Sequence, residues 1–274
     1  MRKNVLLWPI ALALIAASWI GNVAYYRSMQ LPEPKFFKHY YAVSDVESER
    51  IELMYAENLR EGRKVRGVRI EELPQLQFEL YESGRYPYQA LMTAAAKWDH
   101  EQAEALKTLP LTVREATVYY SEGPPQKVPI GEIRITPQAG ESVLQFISGG
   151  SSSGGTGEYL GQVEKPARLE QIDYTYSSRL KPWLKPWLKL ELSGQPVESL
   201  GFPVLFDAED SIDLKYRFDI PEDDPAALEV YKLKGLLTFR TEDGRTVTEQ
   251  IPINSFFSLS ERQMKRFVRS EGGI

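Results

Sequence analysis

Val5-Leu-Leu-Trp-Pro-Ile-Ala-Leu-Ala-Leu-Ile-Ala-Ala-Ser-Trp-Ile-Gly-Asn-Val-Ala24, preceded by Met1-Arg2-Lys3 and followed by Tyr25-Tyr26-Arg27, decides how the remaining chain is read. The run carries no charged side chain. As a helix of about 20 residues it reaches roughly 30 Å, the thickness of a bilayer's hydrocarbon core. A helix satisfies its own backbone groups, which lipid cannot do. Pro9 falls near the first turn, where a missing N–H costs little. Trp8 and Trp19, with Tyr25 and Tyr26 beyond, suit the two membrane interfaces. Arg2 and Lys3 predict that residues 1–4 stay in the cytoplasm. Residues 5–24 then form a transmembrane signal-anchor helix, and the chain from about residue 28 onward lies outside. The expected location is the cell membrane, single-pass, with the lipid bilayer as partner through residues 5–24. Ala16-Ala17-Ser18 loosely fits the cleavage rule of a signal peptide, the rival reading, but it lies inside the apolar run.

The 274 residues include no cysteine, which excludes disulfides, thiolate metal sites, thiol nucleophiles and a lipidated N-terminal cysteine. A net charge of −5 argues against nucleic acid as a partner. Mean hydropathy is −0.36 even with the apolar run included. Beyond the anchor the chain reads as a soluble ectodomain, long enough for one large or two ordinary domains.

That ectodomain is mainly β. Residues 25–35 are expected to be a spacer broken by Leu31-Pro-Glu-Pro34. Strands follow at Phe36–Val43, at Ile51–Tyr55 with Val65–Ile70 as its partner, and at Leu76–Leu80. A capping-box pattern at Ser44–Glu47 leaves a helix open for Ser44–Glu61. Gln89–Trp98 reads as a strand and Asp99–Leu106 as a helical turn. Leu111–Tyr120 and Gln126–Ile135 flank Ser121-Glu-Gly-Pro-Pro125 as a hairpin. Ser148–Gly157 is a low-complexity Gly/Ser tract, expected to be a flexible loop. It lacks the lysine and following helix of a phosphate loop. Further strands are expected at Leu169–Ser177, Leu188–Leu192, Phe202–Phe206 and Ile212–Phe218, the last the cleanest alternation in the chain. The tandem repeat Lys181-Pro-Trp-Leu-Lys-Pro-Trp-Leu-Lys189 has prolines that argue against a regular helix or central strand. A final hairpin, Leu236–Thr241 with Thr246–Ile253, turns at Asp243-Gly244. Ser258-Leu259-Ser260-Glu261 caps a tail helix with Met264, Phe267 and Val268 on one face, ended by Gly272 and Gly273.

The two hairpins echo each other: Tyr119-Tyr-Ser-Glu-Gly123 with Lys127-Val-Pro-Ile130, and Phe239-Arg-Thr-Glu-Asp-Gly244 with Gln250-Ile-Pro-Ile253. This predicts two tandem β-sandwich units of immunoglobulin-like size, residues 36–140 and 166–257, joined by a Gly/Ser loop or linker at 141–165 and closed by a C-terminal helix and tail at 258–274. A single larger β domain is the alternative.

Chemistry is sparse. His39 and His100 are the only histidines and form no metal motif. Asp207, Glu209, Asp210 and Asp213 are the weak calcium candidates, set against a solvated loop charge. No G-x-S-x-G elbow occurs, and no cofactor motif emerges. Trp183 and Trp187, each beside lysines, are candidate partner-binding residues, set against packing at a sandwich edge. The expected role is non-enzymatic: binding or scaffolding at the cell envelope, with an envelope protein or glycan as partner. The alternatives are an envelope enzyme acting on glycan or peptide, and a tethered accessory subunit of a transport or secretion complex.

Overall fold

The computed structural model describes residues 7–44, 49–98, 110–136 and 141–271. The expectations for residues 1–6, for Asp99–Leu106 with His100, for most of the Ser44–Glu47 cap and for Gly272-Gly273 lie outside these residues. The protein is mainly β, in several sheets, with an apolar helix at its start and a short helix at its end. Helix α1 (Leu7–Ser28) exposes Trp8, Leu12, Ile15, Trp19 and Ile20 around its whole girth. By length and composition it can cross a membrane.

The helix does not lead into a loose spacer. Met29 and Leu31 are buried in the first unit. The Gln89 side-chain amide donates to Met29 O. Leu31 N–H donates to Asn58 Oδ1 at 2.9 Å, and Asn58 Nδ2 donates back to Leu31 O at 2.8 Å. The prolines at 32 and 34 turn the chain, but the apolar residues just before them join a core. This corrects the expected spacer at 25–35.

Eight strands build the first unit: β1 (Lys35–Phe36), β2 (Lys38–Val43), β3 (Arg50–Asn58), β4 (Val65–Arg69), β5 (Glu79–Arg85), β6 (Gln89–Lys97), β7 (Leu111–Tyr120) and β8 (Gln126–Ile135). One sheet runs β1-β3-β6-β5 and faces the strands β2-β8-β7-β4. Alternation sends Ile51, Leu53 and Tyr55 from one side, and Val113, Val118, Ile133 and Ile135 from the other, into a shared core. β3 and β4, expected to pair, enter opposite sheets: β3 pairs with β6 and β4 with β7.

The second unit comprises β9 (Leu144–Ser151), β10 (Thr156–Val163), β11 (Ala167–Tyr174), α2 (Ser177–Leu184), β12 (Leu188–Leu192), β13 (Gln195–Pro196), β14 (Val204–Phe206), β15 (Ser211–Phe218), β16 (Glu229–Thr241) and β17 (Thr246–Asn254). The sheet β13-β12-β15-β10-β9 packs over β14-β11-β16 and β17 around Leu169, Leu192, Ile212, Leu214, Leu237, Phe239 and Ile251. Two expectations are corrected here. The Gly/Ser tract is not a linker but the hairpin of β9 and β10. Its glycines make room: a Cβ on Gly157 would stand 2.2 Å from the Tyr216 ring, and one on Gly161 2.9 Å from Tyr159. The proline repeat does enter a helix, since α2 runs through Pro182. Leu180 and Leu184, one turn apart, are fully buried and hold this two-turn helix by packing.

The units share a sheet. Lys232 is paired with Asn254 of β17 on one edge and with Tyr41 of β2 on the other. β11 pairs with residues 235–241 of β16, which also pair with β17. So β2 and β11 lie end to end along the same edge of β16. β2 is parallel to both β16 and β8, which makes one eight-stranded sheet through both units.

A charged cluster pins the junction. The Glu132 carboxylate is buried and meets Arg114 at 3.1 Å, Arg134 at 2.6 Å and Arg179 of α2 at 2.6 Å. Burial works to raise its pKa, but hydrogen bonds and charge from Arg134 and Arg114 prevail and hold it below the usual carboxylate range. The Tyr176 hydroxyl donates to Tyr41 O and Glu132 O beside it. A Glu132→Gln variant is expected to lose about 2–3 kcal/mol, less than a fully buried ion group because its arginines are half exposed. Urea unfolding measures this; a midpoint equal to wild type would show that the cluster holds nothing.

Helix α3 (Glu261–Glu271) returns to the first unit, where Met264, Phe267 and Val268 join the core and Phe267 lies 4.4 Å from the Phe37 ring. Its cap is Ser260 with Gln263, not the expected box beginning at Ser258. Gln263 N–H donates to Ser260 Oγ at 3.2 Å, and Ser260 N–H to Gln263 Oε1 at 2.8 Å.

Candidate binding edge

Strand edges distinguish one side of the second unit. Among the described residues β9 ends its sheet, with β10 its one neighbour, and β17 ends the facing sheet. An edge strand offers unpaired N–H and C=O groups to any extended chain, and proteins usually block this with charge, proline or brevity. The other edges are blocked so. β5 carries Glu79, Glu82 and Arg85, and β4 carries Arg66 and Arg69. β17 has Glu249 and Pro252; β1, β13 and β14 are two or three residues long. β9, Leu-Gln-Phe-Ile-Ser-Gly-Gly-Ser, has eight residues with neither charge nor proline.

Leu144 is buried, but the other two apolar side chains of β9 are uncovered. Phe146 is 61% and Ile147 50% exposed. Phe146 packs at 5.5 Å against the Tyr159 ring of β10. Between β9, β10 and β17 lies a hollow of about 510 Å³, walled by Phe146, Gly149, Tyr159, Tyr216, Pro252 and Asn254. Tyr216 Oη accepts from Asn254 N–H at 3.2 Å, which ties the two sheets across its floor. Burial, then the Glu249 charge, pushes the Tyr159 hydroxyl up to about 12, so it stays protonated at neutral pH.

Glu249 is committed to structure. Its carboxylate accepts from Val143 N–H, from Leu144 N–H at 3.3 Å and from the Ser142 hydroxyl at 2.8 Å, fixing the root of β9. The hollow thus combines aromatic walls, an open backbone ladder and two carboxylates, Glu158 and the occupied Glu249. Open strand edges beside aromatic hollows are where extended chains add as a further strand in other proteins.

The residues singled out from sequence lie elsewhere. Asp210 accepts from Asp207 N–H at 2.7 Å in the turn before β15, and Asp213 pairs with Lys215 at 3.1 Å. Glu209 lies in the same turn, its backbone bonded to Val163 O. Among the described residues no three acidic or histidine side chains converge as a metal would need. Trp187 is half buried at the turn into β12, three strands away from β9, and its carbonyl accepts from Asp219 N–H at 2.7 Å. Trp183 lies on α2. Trp8 and Trp19 are exposed on α1, while Tyr25 and Tyr26 meet Tyr88. His39 is fully buried on β2 and satisfied on both nitrogens, a core residue. Phe146 and Ile147 were not singled out; the absence of any charge from Leu144 to Ser151 is the signal that could have found them.

No protein-family model matches this chain, and no curated protein matches it. Among solved structures, a Yersinia pseudotuberculosis adhesin, InvE, aligns at 9% identity and a TM-score of 0.24 over 81% of this chain. The chain spans 58% of that adhesin's length. The CupB2 chaperone of Pseudomonas aeruginosa aligns at 11% identity and a TM-score of 0.20, over 79% of this chain and 99% of the chaperone. A conserved domain protein of Bacillus anthracis aligns at 9% and 0.23, over 77% of this chain and 84% of that one. At these scores the likenesses bear no functional weight.

Proposed function

We propose that this is a single-pass envelope protein whose α1 is an uncleaved signal anchor, with the N-terminus cytoplasmic and the β units outside. The ectodomain is a non-enzymatic binding module of two sandwich units of immunoglobulin-like size. Its partner is an envelope protein that adds an extended segment to β9 as a further strand. The carrying observation is the edge itself: eight residues, uncharged and proline-free, open beyond Leu144, beside an aromatic hollow. An enzyme would favour ionisable groups converging in a deep pocket; of the two carboxylates that line this hollow, Glu158 and Glu249, the second is spent on backbone N–H groups.

Two measurements test this. The chain has no cysteine, so Ser153→Cys, in the exposed turn after β9, takes a membrane-impermeant maleimide in intact cells if the units lie outside. Labelling that requires lysis overturns the topology. A photo-crosslinking residue at Phe146 should then trap a discrete envelope protein in vivo. The trap should be lost when Ile147→Lys charges the edge while circular dichroism stays unchanged. A yield that survives the charged edge rules out strand addition.

A further inference from the structure

The end of the first unit nearest α1 is built to lie against lipid. Trp8 and Tyr25 are separated by about 26 Å along α1, near the thickness between two membrane interfaces. That places Tyr25 and Tyr26 at the headgroup boundary. Both rings meet Tyr88 edge-on, with centroids 6.2 and 5.8 Å away. Tyr88 belongs to the turn between β5 and β6, and its carbonyl accepts from Leu59 N–H at 2.9 Å in the loop after β3. The bonds of Met29 to Gln89 and of Leu31 to Asn58 leave no slack between helix and sheet.

The turn Tyr86-Pro87-Tyr88 and the loop from Leu59 therefore lie at the depth of Tyr25. Lys265 of α3 is within electrostatic reach of Tyr25 and Tyr88. The exposed cations at this end include Arg27, Arg60 and Arg85, with half-exposed Lys265; the acids include Glu61, Glu122, Glu82, ion-paired to Arg85 at 2.8 Å, and Glu261, ion-paired to Lys265 at 2.7 Å. β2, β8 and β16 all run away from this end, so the Asp243-Gly244 turn marks the far tip.

We propose that this end is a lipid-contacting face: Tyr25, Tyr26 and Tyr88 sit in the headgroup layer, and Arg27, Arg60 and Lys265 bind lipid phosphates. The proposal rests on the anchor reading of α1 and adds a second, surface contact to it. The occupant is the bilayer in which α1 is embedded, because the rigid join gives the face no other depth.

The full-length, naturally cysteine-free chain allows a direct test in vesicles of phosphatidylcholine and phosphatidylglycerol. A fluorophore is placed at Pro87→Cys, at Glu242→Cys near the far tip, or at Ile15→Cys in mid-helix. Headgroup spin-labelled lipid should quench Pro87 at least about twofold more than Glu242. Acyl-chain spin label should quench Ile15. Quenching at Ile15 with Pro87 no different from Glu242 overturns the lipid face and leaves the anchor standing. No quenching at Ile15 overturns the anchor and the face together. Arg27→Gln/Arg60→Gln/Lys265→Gln should weaken headgroup quenching at Pro87; unchanged quenching removes the cations from the proposal.

Discussion

A Gly131→Ala variant should lose about 4 kcal/mol of stability, enough to lower the melting temperature by on the order of 10 °C. Gly131 sits at φ +99, in the region an L side chain rarely adopts. A Cβ there would stand 2.2 Å from His39 O and 2.4 Å from His39 N. Those atoms are backbone in the central parallel strand β2, so no side chain can swing away. The sheet must either open between β2 and β8 or bend where both units depend on it. Calorimetry on the detergent-solubilised chain reads this directly. Gly244→Ala, also at positive φ but with open space around its Cβ position, separates conformational strain from collision and should cost far less. Equal losses for the two would refute the close approach of β8 to β2.

The second large effect is pH dependence through His39. Its ring is fully buried, with Nδ1–H donating to Ile130 O at 2.9 Å and Nε2 accepting from Met54 N–H at 2.8 Å. Those partners hold the neutral tautomer. Burial, partly offset by the Ile130 hydrogen bond, lowers its pKa from 6.5 to about 4. The unfolded chain takes up this proton near pH 6.5 and the folded one only near pH 4. Stability from His39 is therefore complete above about pH 6.5 and falls as pH drops toward 4. The gap, at about 1.36 kcal/mol per pH unit, amounts to about 3 kcal/mol. His39→Gln, which has no ionisable group, should lose that much less between pH 7 and pH 4 in urea titrations. Parallel pH profiles for the two proteins would show that His39 is not held neutral.

Much of the fold is legible in alternation. Leu111–Tyr120 and Gln126–Ile135 are strands to the residue, and Ile212–Phe218 extends by one to Ser211. In Ile212–Phe218 every second side chain meets a core, and in the other two the alternation slips by one at a bulge near Val113, so the local pattern carries most of the tertiary fact. What escaped is set from a distance. Gly149, Gly157 and Gly161 read as flexibility because their partners, Phe146, Tyr159 and Tyr216, lie on adjoining strands or across a residue gap that the tract's composition hides. β3 and β4 look like a hairpin because neighbours in sequence usually pair, yet the chain crosses between sheets at Gly62. The site shares this limit. Phe146 and Ile147 are ordinary apolar residues until the strand order leaves β9 at an edge.

β16 also matters mechanically. Its first residues run parallel to β2, which follows directly from the docked end of α1, and its last residues carry the far unit. In the proposed membrane-anchored arrangement, tension between the bilayer and a partner at β9 would pass along these strands, not across them. Their cross-strand hydrogen bonds are then loaded together in shear, so none can peel first. A pull on the far unit is thereby delivered to α1 through a joint that resists sliding, as in a tie-rod.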